Sequence, residues 1–182
     1  MAGTRWLSED EQRTWRTFVQ ATRLLFDHLE QELDEQTEVP SHYYEVLAPL
    51  AEVPDRRLRM SDLADQSRSS RSRLSHSIAR LESLGWIRRE ACQTDRRGAV
   101  AVLTDEGFSA IEAAAPVHAE GVRVHFFDQL DVEQLEELRR ISEQVLEHLM
   151  AVKGSSPEEL GLLGILAPDP SSHAAEREPA TS

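Results

Sequence analysis

The chain has 182 residues, 40% of them apolar and 29% charged, with 20 basic against 33 acidic side chains and a formal charge of −13. This is enough for one domain with a core, or for two small lobes sharing one, and no apolar run reaches the length of a membrane-spanning helix. A single cysteine, Cys92, excludes an intrachain disulfide and a zinc ribbon, and Met1–Arg5 lacks the charged-then-apolar pattern of a secretory signal, so the expected location is cytoplasmic.

Ser8 with Glu11 three residues on forms a capping box that opens a long helix, about 9–35, whose stripe is Trp15, Phe18, Leu25, Leu29 and Leu33. Pro40-Ser41 starts a second helix through Tyr44, Val46, Leu47 and Leu50, which Pro49 is expected to kink or end early. After the turn Val53-Pro54-Asp55 comes a short extended piece, Arg57–Met60, and then a short helix, Asp62–Gln66, capped by Ser61. A helix over about 71–84 follows and stops at Gly85. Ile87–Gln93 and Ala99–Leu103 read as two strands of a ribbon joined by the turn Thr94–Gly98.

Thr104 caps the next helix, which Pro116 and Gly121 are expected to bend. Asp131 caps the last one, with the stripe Leu135, Leu138, Ile141, Val145, Leu149 and Val152. Residues 154–182 are rich in Gly, Pro, Ser and Ala and read as a disordered tail, with a marginal helix at Pro157–Leu166.

Charge is distributed unevenly along these elements. Residues 56–98 hold eleven arginines against five acids, a formal +6, while the rest carries 9 basic and 28 acidic side chains, −19. A positive patch on a negative body attracts phosphate and discourages misdocking. Within the island the order is helix, short strand, short helix, Arg-rich helix and ribbon, which is that of a winged helix-turn-helix. The expected fold is therefore mainly α with a small β-wing, a winged lobe at 41–104 accompanied by helical segments at 8–35 and 105–153.

Helix geometry places Leu74, Ile78 and Leu81 of the Arg-rich helix inward and Ser72, Arg73, His76, Ala79, Arg80 and Ser83 outward. Arg73 is the candidate for direct base readout, since a guanidinium makes two bonds to guanine O6 and N7, with Ser72 and His76 beside it. Ser70 at the helix start suits a phosphate or a plain cap. Arg68, Arg71 and Arg80 are assigned to the DNA backbone, and Arg96 and Arg97 to the neighbouring minor groove, with Asp95 holding a wing arginine in place. Arg88 and Arg89 alternate along a strand, so at most one of them faces DNA. An isolated surface arginine is usually only solvated; here the arginines cluster on the appropriate elements.

The runs Leu58–Ala64, Ser70–Glu82, Gly85–Arg89, Thr94-Asp95-Arg96-Arg97-Gly98 and Leu103-Thr104-Asp105-Glu106-Gly107 resemble the MarR family of bacterial transcriptional regulators over about residues 10–150. The resemblance implies a homodimer in which the first, fifth and sixth helices interleave, binding a pseudo-palindrome in double-stranded DNA, most often as a repressor. The apolar stripes independently exceed what three helices of one small chain readily bury. Ser67, Arg68 and Ser69 depart from the family, which usually carries apolar or glycine residues in that turn. The resemblance also implies release of DNA by a small aromatic or phenolic effector, or by an oxidant, acting between the helical region and the winged lobes. Trp15, His42, Tyr43 and Tyr44 lie on helices that border such a cleft, but no effector residue is assigned, because such aromatics more often fill a core or an interface.

No cofactor and no metal is expected. His118 and His125 share a helix face and His42 lies on another helix, without a tight ligand pair, and Cys92 reads as an unreactive wing residue. No phosphate-cradling glycine loop or nucleophile elbow suggests an enzyme. The alternatives are a winged-helix module that binds protein, or a dimerisation lobe like those of some methyltransferases.

Overall fold

The computed structural model describes residues 3–67, 71–91 and 98–154; the predicted wing turn at 94–97, Cys92 and the segment from 155 onward, including Pro157–Leu166, lie outside them. The described elements are α1 (Glu9–Gln36), α2 (Ser41–Glu52), β1 (Arg57–Arg59), α3 (Met60–Gln66), α4 (Arg71–Ser83), β2 (Ile87–Ala91), β3 (Ala99–Leu103), α5 (Asp105–His125), a 3-10 turn (Phe127–Gln129) and α6 (Val132–Lys153). The fold is mainly helical, with a small antiparallel wing.

The local signals act through the expected atoms. The Glu11 amide donates to Ser8 Oγ at 3.2 Å and the Ser8 amide donates to the Glu11 carboxylate at 2.7 Å, closing the capping box of α1. Thr104 Oγ1 accepts from the Gly107 amide at 3.0 Å and donates to the Gly85 carbonyl at 2.7 Å, so one hydroxyl caps α5 and ties it to the end of α4. Gly85 ends α4 with φ +77, a conformation that favours glycine. Gly107 is required for a different reason: a Cβ there would lie 2.2 Å from the Trp86 carbonyl oxygen.

Three expectations need correction. Pro49 does not end α2, which continues to Glu52. Proline removes one backbone bond, and Val46, Leu47 and Leu50 on the same helix are wholly buried and offset it. Ser61 does not cap α3; the helix already begins at Met60, and the serine hydroxyl bonds Asp62 instead. The ribbon is a three-stranded sheet in the order β1-β3-β2, because β1 pairs antiparallel with β3 through Leu58 opposite Ala101. Helix α5 contains both Pro116 and Gly121 and ends at His125, ahead of the 3-10 turn. Gly121 there serves close packing: a Cβ would come within 2.5 Å of Glu32 Oε2 and 2.8 Å of a Leu29 methyl, so its absence lets α1 and α5 approach.

A single core joins the lobe to the adjoining helices. Leu47 and Leu50 of α2, Leu63 of α3, and Leu74, Ile78 and Leu81 of α4 are buried, and they share a cluster with Leu33, Leu103 and Ile111. Asp34 at the end of α1 accepts from the Ser41 amide at 2.6 Å and so caps α2, whose own N-cap, Pro40, has no side-chain bond to give. The outer parts of the molecule are different. Trp15 and Phe18 on α1 and Ile141, Val145, Leu149 and Val152 on α6 are all exposed, and Met150 is the one buried residue of α6.

Candidate nucleic-acid interface

Helix α4 rests its Leu74–Ile78–Leu81 stripe on the core, which fixes what its other side presents. Ser72, Arg73, His76 and Arg80 are exposed there, as the periodicity predicts. Arg80 donates to Ser83 Oγ at 3.4 Å, and that hydroxyl donates back to the Arg80 carbonyl at 2.7 Å, so the two are organised along the helix. Arg71 is the first residue of α4. Arg68, Ser70, Arg96 and Arg97 lie outside the described residues, as does Asp95.

The sheet end of the basic island is partly neutralised from within, which the sequence alone does not reveal. Arg57 and Arg88 both bond the Glu90 carboxylate, Arg88 at 2.9 Å. The hydrogen bond from Arg88, with the charge and hydrogen bond of Arg57, holds that carboxyl below the usual carboxylate range. Arg89 pairs with Glu82, the one acid of α4, at 2.9 Å. Arg56 adopts φ +51 and offsets this strained backbone by bonding Asp105 at 3.0 Å and stacking 3.6 Å over the Phe108 ring. Exposed pairs of this kind contribute little stability. Their effect is on the field: positive charge is thinned over the strands by Glu90 and Glu82.

A second feature is a cleft of about 220 Å³ between α1, α2, α5 and the end of α3. Phe26, Leu29, Leu33 and Tyr44 form much of its wall, with Ser67 and His118 among its polar lining. Ser67 Oγ and His118 Nδ1 are buried and have no hydrogen-bond partner among the described residues. Burial pushes the His118 imidazole below its ordinary range, because it disfavours the charged ring. Burial raises the Tyr44 phenol, whose ring lies 4.9 Å from that of His118.

Glu30, Glu45 and Glu52 also border the cleft, and no arginine or lysine lines it among the described residues. Of the aromatic candidates from the sequence, only Tyr44 reaches this cleft; Trp15 stands exposed near Phe18, and His42 packs on Tyr43. The polar turn serine at 67 thus faces inward to the cleft. His118 and His125 do not act together either: His125 bonds Glu32 of α1.

Comparison with known proteins agrees with this geometry. The model of the MarR family matches residues 38–98, from the chain before α2 to the end of the wing turn. Sco3205 of Streptomyces coelicolor, a MarR family transcriptional regulator solved in complex with DNA, is 46% identical; the match covers 82% of this chain and 93% of that one, with a TM-score of 0.73. AbsC of the same organism, also a MarR family transcriptional regulator, is 44% identical, covering 81% of this chain and 99% of that one at a TM-score of 0.72. The HTH-type transcriptional regulator PecS of Dickeya dadantii is 35% identical over 79 residues, which is 43% of this chain and about half, 47%, of that protein's length.

Proposed function

Because this chain belongs to the MarR family of DNA-binding transcriptional regulators, we propose that it works as a homodimer on pseudo-palindromic operators, represses by occupying them, and is released by a small ligand. The observation that carries this reading is the outer face of α4, where Ser72, Arg73, His76 and Arg80 stand exposed and the helix's one acid, Glu82, pairs with Arg89. In the proposed complex α4 enters the major groove. Arg73 reads a base edge, with Ser72 and His76 beside it, while Arg68, Ser70, Arg71 and Arg80 hold phosphate and Arg96 and Arg97 reach the adjacent minor groove.

Residues 8–35 and 105–153 are the proposed pairing region and 41–104 the reading lobe. The exposed apolar stripes of α1 and α6 support pairing, since contiguous exposed apolar surface marks interfaces. Two-fold pairing sets two recognition helices about one DNA turn apart, roughly 34–36 Å. An operator overlapping a promoter then excludes polymerase by occupancy alone, which favours repression.

The cleft is the proposed effector site. An apolar wall with two buried polar groups, Ser67 Oγ and His118 Nδ1, that have no partner among the described residues suits a small aromatic bearing a hydroxyl. The three glutamates at its border disfavour a carboxylate, so a phenol is preferred over an aromatic acid. Footprinting on the DNA upstream of the protein's own gene, with and without panels of phenols and aromatic acids, tests the whole proposal. Symmetric protection that is lost with phenols supports it. No protection beyond that of random competitor DNA contradicts it.

A further inference from the structure

Away from both the reading helix and the cleft, α1 and the last turn of α5 bring together His28, Glu32 and His125. His28 and Glu32 are four apart on α1 and therefore share a face, and His125 is the final residue of α5. His125 Nε2 lies 2.9 Å and His28 Nε2 3.9 Å from the same Glu32 oxygen, Oε1. The two rings meet edge to face with centroids 4.5 Å apart, and one donor atom from each of the three residues falls within 4.8 Å of the others.

The packing around Glu32 is specific to this arrangement. Its other oxygen, Oε2, occupies the space that a Cβ at position 121 would take, at 2.5 Å, one helical turn before His125. The missing side chain at Gly121 thus gives the carboxylate a seat from which Oε1 meets both imidazoles. Glu32 and His125 are partly buried, whereas His28 is more than half exposed, so the cluster is open to solvent on one side.

From this geometry we infer that His28, Glu32 and His125 form a binding site for a divalent transition-metal cation, with zinc the best-matched probe. Two imidazoles and a carboxylate are a donor set suited to zinc, whereas magnesium and calcium prefer oxygen alone. Bond lengths of about 2.0–2.2 Å to a tetrahedral ion place neighbouring donors roughly 3.4 Å apart. The observed 2.9 and 3.9 Å straddle that spacing, and all three donors lie within 4.8 Å, so small shifts, chiefly of the exposed His28, are enough to accept the ion. Three protein ligands leave a fourth position for water. The bound ion clasps α1 to the end of α5, two of the helices assigned above to pairing, but the site does not depend on that assignment.

The test is zinc titration of chelator-treated full-length protein against a chromophoric competitor, with magnesium as the control ion. One zinc per chain is expected, with a rise in Tm that magnesium does not give. H28Q, E32Q and H125Q should each weaken zinc at least about tenfold and abolish the Tm rise, while H148Q on α6 leaves both unchanged. His28 is exposed, so H28Q retains the fold and keeps the test decisive if H125Q is unstable. Absence of zinc uptake by the wild type, or uptake undiminished in H28Q and E32Q, overturns the assignment and leaves the cluster a hydrogen-bonded tie between helices.

Discussion

The winged lobe and the terminal helices use the same apolar residue types for opposite ends. In the lobe, Leu47, Leu50, Leu63, Leu74, Ile78 and Leu81 are at most 1% exposed, so that region satisfies its hydrophobic side chains within one chain. On α6, Ile141, Val145, Leu149 and Val152 range from 45% to 72% exposed, although their spacing is equally regular. An amphipathic stripe therefore states that a helix needs a partner, and only the packing shows whether the chain supplies it. The lobe's apolar residues are covered within the chain, in a core shared with α1 and α5; the exposed stripes of α1 and α6 are completed, in the proposed assembly, by a second copy.

The most forceful way to break that contrast is to charge the α6 stripe. The double variant Ile141→Glu with Val145→Glu should abolish pairing in sedimentation while the lobe stays folded by circular dichroism. Loss of the second half-site should then lower specific DNA affinity by roughly a thousandfold. An undiminished dimer would show that the exposed stripe is not the pairing surface.

Next in size is the complementary change in the lobe. Ile78→Ala should cost about 2–5 kcal/mol in urea unfolding, whereas Leu149→Ala, measured at dilutions where chains are separate, should stay within about 0.5 kcal/mol. Equal losses would erase the distinction between the two regions.

Arg73→Ala acts on function with the core intact. It should remove about 1–3 kcal/mol of preference at one base position per half-site, read by binding to operator variants. Arg97→Ala should weaken all sequences alike and flatten the salt dependence. Identical profiles for the two would contradict the proposed division between reading and gripping.

The smallest effect sharpens the boundary between the regions, where His118 faces the cleft. Its folded pKa lies below the ordinary 6.5 because burial opposes its charge. The unfolded chain therefore takes up the proton first as pH falls, and the stability contributed by the neutral ring is present above 6.5 and lost below it. Wild-type Tm should drop more steeply than that of His118→Gln between about pH 7 and pH 5.5; parallel curves would remove His118 as the cause.

Much of the fold was legible because its signals are local. Ser8 with Glu11, Thr104, Asp131 and Gly85 each act on backbone groups within a few residues, so sequence spacing is enough to find them. The outward face of α4 was legible for the same reason, since 3.6-residue periodicity sorts its residues without knowledge of the partner. What escaped depends on distant packing. Asp34 caps a helix seven residues away, β1 finds β3 more than forty residues on, and Glu82 and Glu90 pair with arginines that charge counting leaves as part of the net positive island. The meeting of Glu32 with His125, 93 residues apart, is invisible to any spacing rule and rests on a glycine whose role reads from sequence as a bend.

The spacing of the two α4 helices in the DNA-bound protein is the most direct test of the central claim. Spin labels on Ser75→Cys, exposed on α4, with Cys92 replaced by Ser, report it on a duplex obtained by binding-site selection. The account predicts one dominant inter-label distance near a DNA helical repeat, about 34–36 Å plus the label arms. A bound protein that gives no inter-label signal, or a distance unrelated to the helical repeat, would contradict it.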